Sequence, residues 1–401
     1  MDVARLRIGV IGAGRRGQQH VTTLLELPDL YELAAVCDLS ERAARAVGER
    51  AGVRAYSDVD DFFAKEDVTV VVIATPAETH HLVAKAAAER GVHMLIETPL
   101  GTTRAMMDFT AEVVARAGVK VEVGENMWRR PTEQLNQRAL EAGLVGNVVR
   151  VSSYYESAGQ DSCYHAMSLL RAYAGADVEE VRGFARRIKL EPPASETWTQ
   201  AQLVYANGVL GTCTYVTGWM GPLRRGHPRF MSIEGTEGFI VTGDGDLNML
   251  RRVGQGTPVS YPKQIEVHQQ ADHDVPLRYY YETEPQTEYL NPFGDRVLTD
   301  SGSTGSASDG IARAGELWSI HRAVTSGSPP EYTIPMARRD QELSIVIAES
   351  ARLERPLRPD QLSGETEWER QQHEAFSERW GADPFEDAGK GLSARGGPRS
   401  R

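Results

Sequence analysis

The stretch VTVVVIA (68–74) is apolar at every position after Thr69. A strand that never alternates has to be covered on both faces, as the inner strands of a parallel sheet are. The flanking chain supplies the neighbours that such a strand needs. RIGVI (7–11), ELAAVC (32–37), VHMLIE (92–97) and VKVEVG (119–124) read as further strands, and helix-period segments lie between them. These are HVTTLLEL, SERAARAVGERA, THHLVAKAAAERG closing on Gly91, and the helix around MMDFTAEVVARAG. Strands alternating with helices over 6–126 predict right-handed βαβ units and an α/β doubly wound parallel sheet.

The pattern changes near Asn126. PTEQLNQRALEAGLVG and DSCYHAMSLLRAYAG read as helices, and 178–250 offers consecutive strands joined by turns such as Asn207-Gly208, which predicts a largely antiparallel sheet. The polar stretch 252–308 reads as loops over that sheet. Two late helices follow, around GIARAGELWSIHRAVTSG and MARRDQELSIVIAESARLE. The predicted organisation is a first domain over 1–126, a second over 127–355, and a polar extension over 356–401 whose end, DAGKGLSARGGPRSR, has almost nothing apolar to bury and is expected to be disordered.

Composition excludes several classes. Cys37, Cys163 and Cys213 are isolated and without CxxC spacing, which argues against a disulfide framework and a structural zinc site. A formal charge of −12 argues against a nucleic-acid partner. No apolar run approaches a membrane span, and MDVARLRIGVIGAG has no separable signal core, so the expectation is a soluble, cytoplasmic protein without a membrane partner.

Gly12-Ala13-Gly14-Arg15-Arg16-Gly17 follows the first strand and opens a helix, and Asp38 ends the second strand 21 residues after Gly17. That context is the one a dinucleotide fingerprint requires. Gly12 permits the tight turn, Gly14 lets the backbone approach a pyrophosphate, and Gly17 allows close packing. The anion is expected against the helix N-terminus. Asp38 would accept hydrogen bonds from the adenosine ribose and repel a 2′-phosphate, favouring NAD over NADP, with Arg42 close enough to soften the preference. The bland alternative makes the glycines turn residues and Asp38 a helix N-cap.

In AGQDSCYHAMSLLR (158–171), Asp161 and His165 are four residues apart, a spacing that shares a helix face. A carboxylate can then orient an imidazole for proton exchange near neutral pH. By itself such a pair is more often structural than catalytic. Cys163 between them reads as packing. His80 and His81 have no ligand-spaced partner and read as satisfied structural histidines rather than metal ligands, with His80 at the cofactor end. No catalytic metal is expected.

Together, GVIGAGRRG, the acid of VCD, ATPAETHHLVAKAAAERGVHMLIETP, the DxxxH of Asp161 and His165, IEGTEGFI and MARRDQELSIVIAESA resemble the Gfo/Idh/MocA family of glucose–fructose and inositol dehydrogenase-like oxidoreductases, over roughly residues 5–355. The resemblance implies an N-terminal Rossmann domain and a C-terminal α/β domain with a large open sheet. That sheet would support the substrate site and a homo-oligomer interface, for a dimer or tetramer. It implies sugar, cyclitol or glycoside substrates, His165 as general acid or base, and Asp161 as its partner. Glu97, Pro99, Thr75 and Pro76 would border the cofactor, with Asn126 nearby.

Three departures stand out. Thr98 replaces the lysine of the family's Glu-Lys-Pro motif, Ala77 a frequent Asn, and Ser168 a frequent acid. The unusual run ENMWRRPTEQL puts Trp128, Arg129 and Arg130 in a candidate substrate pocket with Tyr164, and Tyr164, Arg129 or Arg130 could replace the lysine as donor. Trp128 fits core packing equally well. Tyr279, Tyr280, Tyr281 and Trp219 fit an interface or a sugar-stacking wall. Three readings follow: an NAD-dependent dehydrogenase or reductase, a redox-neutral lyase, epimerase or glycosidase using transient oxidation, and a non-catalytic nucleotide or sugar binder. The first is favoured.

Overall fold

The computed structural model describes residues 4–156, 163–189, 195–218, 230–243, 248–253, 256–270, 273–299 and 307–385. The chain divides into two compact units. One comprises Met1–Asn126, Arg296–Arg339 and Glu369–Arg401; the other comprises Met127–Asp295 and Asp340–Trp368.

The first unit is built on six parallel strands: β1 (Leu6–Ile11), β2 (Tyr31–Cys37), β3 (Arg54–Tyr56), β4 (Val70–Ile73), β5 (His93–Glu97) and β6 (Val121–Gly124). Their spatial order is β3-β2-β1-β4-β5-β6. The helices α1 (Arg15–Leu25), α2 (Glu41–Ala51), α3 (Val59–Lys65), α4 (His80–Ala88) and α5 (Arg104–Ala117) make the crossovers. Val70 to Ile73 are wholly buried, as an unalternating strand between two helical layers must be. The order reverses between β1 and β4, which opens a crevice at their carboxyl ends.

The contiguous division at residues 126 and 355 is corrected by α8 (Ala307–Thr325), which belongs to the first unit. The physical reason lies in a carboxylate inside β6. Glu122 is fully buried, and Ser319 Oγ donates to it at 2.5 Å. The amides of Glu331 and Tyr332 donate to it at 3.0 Å each. A buried carboxylate requires such donors, and here they come from 197 to 210 residues away. The Tyr31 hydroxyl further donates to the Leu317 carbonyl at 2.7 Å.

The extension at 356–401 is likewise more than a polar tail. Helix α10 (Glu367–Trp380) places Phe376 and Trp380 in a cluster with Leu82 of α4 and Met106 of α5. The Arg104 amide, Nε and Nη2 reach the Glu369 carboxylate at 2.9, 3.0 and 2.6 Å. Residues 386–401, with the segment expected to be disordered, lie outside the described residues.

His81 on α4 donates from Nε2 to the Pro384 carbonyl at 2.8 Å. Burial lowers its pKa to about 4, outweighing the carbonyl that favours protonation. The unfolded ring takes up a proton near pH 6.5 and the folded ring resists it, so this contribution is complete above that pH and is lost as pH falls towards 4. The loss reaches about 2 kcal/mol at pH 5. Urea unfolding at pH 7 and pH 5 should show His81→Gln, which keeps a donor but cannot titrate, losing correspondingly less stability. Equal losses in both proteins would place the acid sensitivity elsewhere.

The second unit carries an eight-stranded sheet. Its strands are β7 (Val148–Glu156), β8 (Val178–Lys189), β9 (Ser195–Tyr205), β10 (Leu210–Gly218), β11 (Phe230–Gly235), β12 (Gly238–Gly243), β13 (Asn248–Arg252) and β14 (Val259–Pro262). The order is β14-β13-β12-β11-β7-β10-β9-β8, antiparallel throughout except for β7 beside β10. Helices α6 (Pro131–Glu141), α7 (Tyr164–Ala174) and α9 (Ile334–Leu353) contribute Leu135, Met167, Leu170, Val346 and Ile347 to a core with Val151, Leu203, Ile233 and Leu250. The opposite face carries Phe184, Gln200, Thr214, Tyr154 and Phe230 in one cross-strand row, and both phenylalanines are exposed.

The loops expected over 252–308 contain strands. Besides β14, β15 (Gln264–Gln270), β16 (His273–Tyr281) and β17 (Thr287–Leu290) form a three-stranded antiparallel sheet. Polar exposed residues on β15 mask the pattern, but Tyr279, Tyr281 and Tyr289 are buried in the unit's core. The Tyr281 hydroxyl lies 2.7 Å from Asn136 Oδ1 and 2.8 Å from Asn248 Oδ1. Two of the three consecutive tyrosines are therefore core residues; Tyr280 is half-buried, with the Arg278 guanidinium over its ring. Trp219 lies outside the described residues. Among the described residues, no helix is long and apolar enough to cross a membrane.

Candidate active site

The glycine turn is dictated by close approach. Gly12 has φ +105°, and a Cβ on it would stand 2.4 Å from the Ala74 carbonyl oxygen. A Cβ on Gly17 would stand 1.8 Å from the Gly12 carbonyl oxygen, so this glycine packs the helix onto the turn itself. Gly14 faces open space. Helix α1 begins there with no side-chain cap and no acid in its first turn, leaving its N-terminal N–H groups for an anion.

Asp38 Oδ2 accepts from the Ala13 amide at 2.7 Å, and Oδ1 from the Ser40 amide at 2.8 Å. The side chain that caps α2 is Ser40, not Asp38. Asp38 thus ties the glycine turn to the end of β2. Arg15 is exposed beside the turn, and Arg42 is exposed on α2.

A cavity of about 510 Å³ opens over these residues, lined by Gly12, Gly14, Asp38, Leu39, Thr75, Pro76, Thr79, Val83, Arg379 and Trp380, among others. A glycine turn free of side chains, an uncapped helix start and a carboxylate at the end of the second strand fit a dinucleotide. Leu39, Val83, Arg379 and Trp380 were not foreseen from sequence. The one available signal for the last two was the apolar pair Phe376 and Trp380, four residues apart in EWERQQHEAFSERW.

Arg16 and Glu97, both expected at the cofactor end, are paired with each other. Arg16 Nε donates to Glu97 at 2.6 Å and Nη2 lies 3.6 Å from Glu316, while His20 Nε2 is 2.5 Å from Glu97. Burial alone would raise the Glu97 carboxyl, but Arg16 and His20 outweigh it and hold it well below the usual carboxylate range. Burial lowers the His20 pKa despite Glu97. His20, Glu97 and Glu316 are spaced so that they could hold a cation, yet the Arg16 guanidinium already supplies a positive charge there. This buried network underlies the strand end that carries Thr98.

Thr98 is half-buried, and its amide donates to Glu97 Oε2 at 3.1 Å. His80 is buried and bridges the ends of β4 and β5, with Nδ1 3.0 Å from the Pro99 carbonyl and Nε2 2.9 Å from the Thr75 carbonyl. A neutral ring donates to only one of them at a time, and burial lowers its pKa. His80 therefore positions Thr75 and Pro99. Asn126 is buried, its Nδ2 3.5 Å from Asp309 Oδ1.

In the second unit, α7 starts at Tyr164, so His165 lies in its first turn. Asp161 lies outside the described residues. His165 is half-buried, Tyr164 is buried, and their rings meet edge-on at 5.7 Å. Ser168, in place of an acid, donates to the His165 carbonyl at 2.9 Å. The Arg129 guanidinium lies 4.7 Å over the Trp128 ring, and Arg130 precedes Pro131 at the start of α6. Cys163 is buried, with Sγ 3.0 Å from Ser344 Oγ, and burial pushes its thiol well above the ordinary range, which suits packing rather than nucleophilic attack.

Sequence profiles match residues 6–125 to the Gfo/Idh/MocA oxidoreductase family with its NAD-binding Rossmann fold. The rhizopine catabolism protein MocA of Rhizobium meliloti is 36 % identical over 155 residues, which cover 38 % of this chain and 47 % of that protein. Inositol 2-dehydrogenase 4 of Saccharopolyspora erythraea is 30 % identical over 226 residues, covering 53 % of this chain and 67 % of the relative. The chain spans about half the length of most of the curated relatives it matches. A solved structure of levoglucosan dehydrogenase in complex with NADH and levoglucosan superposes with a TM-score of 0.69 at 20 % identity, covering 89 % of this chain and all of that one, a likeness of fold.

Proposed function

Since the chain belongs to the Gfo/Idh/MocA oxidoreductase family, with its NAD-binding Rossmann fold, we propose that it is an NAD-dependent dehydrogenase or reductase acting on a hydroxyl or keto group of a sugar, glycoside or cyclitol. The observation that carries this reading is the cavity over the glycine turn with Asp38 at its edge. The α1 N-terminus and the Gly14 backbone hold the pyrophosphate, Asp38 the ribose hydroxyls, and Thr75, Pro76 and Pro99 border the nicotinamide. Bound NAD would supply the hydride acceptor for oxidation of the carbinol carbon. The hydroxyl proton must leave at the same time, and His165, with Asp161 as its partner, takes it.

Thr98 stands where a lysine would donate a charged hydrogen bond to the developing alkoxide. Losing one well-placed donor costs about 2.7–4 kcal/mol. A neutral hydroxyl, together with Arg129, Arg130 or Tyr164, supplies part of that stabilisation. The relatives' names, inositol and levoglucosan dehydrogenases and a rhizopine catabolism protein, support a polyhydroxylated ring as substrate. The exposed row holding Phe184 and Phe230 supports a homodimer or homotetramer, which a monomeric sedimentation profile would overturn.

The test combines purified protein, NAD or NADH, and a panel of hexoses, glycosides and cyclitols with their keto forms. Nicotinamide absorbance is followed while the same tubes are analysed by mass spectrometry. A two-hydrogen mass change matched by cofactor turnover is the expected result. A changed sugar with no net nicotinamide signal would instead establish redox-neutral chemistry.

A further inference from the structure

The cavity over the glycine turn has a wall that does not come from the βαβ core. Arg379 and Trp380, the last two residues of α10, line it together with Leu39, Thr79 and Val83. Leu39 follows Asp38 directly, so this wall lies at the end of the cavity where a dinucleotide's adenosine is held by its ribose.

The wall is firmly built. Beyond the Arg104–Glu369 pair, Thr103 Oγ1 lies 3.0 Å from His373 Nε2, and the His81 contact to Pro384 fixes the chain just past the helix. Trp380 is 9 % exposed and packs with Leu82, Met106 and Phe376. Its indole Nε1, buried at the cavity wall, has no hydrogen-bond partner among the described residues. The Arg379 guanidinium lies 5.2 Å over the Trp380 ring, and its Nη1 donates to Glu78 at 2.6 Å. Glu78 belongs to the turn between Pro76 and Thr79, which lines the same cavity. A half-exposed cation is therefore held over an aromatic ring at the wall of the cavity. Such a pairing suits the face and edge of a purine, where an aromatic wall and a guanidinium both attract the π system.

We infer that α10 completes the adenosine end of the dinucleotide site, with Trp380 as its apolar wall and Arg379 as a binding residue held in place by Glu78. The inference rests on the NAD reading above. It explains why a mostly polar extension docks so fully: the segment is part of the binding site rather than an appendage.

The test is titration of the full-length protein with NADH and, separately, with ADP-ribose, which keeps the adenosine half and lacks the nicotinamide. Arg379→Ala, whose side chain is half exposed, should weaken both ligands by about tenfold, a loss in the range of one stacking or cation–π contact. Trp380→Phe should weaken both by a similar factor, and matching thermal melts would confirm that each variant is folded. Should Trp380→Phe melt early, Arg379→Ala decides alone. Unchanged affinity in Arg379→Ala overturns the inference, as does a loss confined to NADH, because the effect would then not lie at the adenosine half. If the parent protein binds neither ligand, the NAD reading itself falls, and that outcome is told apart by the parent titration.

Discussion

Gly17→Ala is expected to abolish useful NADH binding while the second unit keeps its fold. The added Cβ would stand 1.8 Å from the Gly12 carbonyl oxygen, a backbone atom that cannot turn aside as a side chain could. Either the turn or the start of α1 must move. The glycine turn is also held from its other side, since Gly12 abuts Ala74 and the Ala13 amide is tied to Asp38. The helix end is therefore the part that yields, and its N–H groups leave the position in which they would meet a pyrophosphate. Two charge-assisted hydrogen bonds at about 1.5 kcal/mol each correspond to a loss of about a hundredfold in affinity. Overpacking adds about 1–3 kcal/mol of destabilisation. Fluorescence titration with NADH, alongside a thermal melt, measures both. Binding within a few-fold of the parent would mean that the dinucleotide does not use this turn.

His165→Asn is the second large effect, and it tests chemistry rather than binding. Asparagine keeps a side chain of similar reach and hydrogen-bonding character but cannot exchange a proton at neutral pH. If His165 takes the hydroxyl proton, turnover should fall about 10²- to 10⁴-fold, the usual contribution of a positioned general base. NADH affinity should stay within twofold, because the residues proposed to bind the cofactor lie in the other unit. The variant's residual activity should also lose the pH dependence that a titrating base imposes on kcat/KM. Turnover within tenfold of the parent, with the pH profile intact, would remove His165 from the mechanism and shift attention to Arg129, Arg130 and Tyr164.

The two experiments separate the functions of the two units. A protein that fails the first and passes the second would be a sugar-acting enzyme that holds its nucleotide elsewhere. One that passes the first and fails the second would bind NAD with different proton chemistry.

Local signals in the chain were enough for five of the six parallel strands, the glycine turn and the carboxylate at the end of β2, whereas the three-residue β3 carries no such signal. These depend on short-range physics: an unalternating strand needs two covered faces, and a strand–turn–helix with glycines at fixed positions has few other conformations. What lay beyond a local reading is long-range compensation. Glu97 reads as a cofactor-side residue in IETP, yet its partners, Arg16 and His20, come from α1 and the more distant Glu316 from α8. Glu122 looks misplaced in VKVEVG until Ser319, Glu331 and Tyr332 supply its donors. The same holds for α10, where the buried apolar residues are Phe376 and Trp380 and most of the helix is polar. By itself, then, the sequence determined the βαβ architecture and the glycine turn proposed to receive a dinucleotide, because both are written in neighbouring residues. The membership of α8 and α10 in the first unit, the pairing of Arg16 with Glu97, and the wall formed by Arg379 and Trp380 were decided only by tertiary structure. A buried charge or an exposed apolar face can be satisfied by any distant segment of suitable chemistry, and local sequence does not say which one arrives.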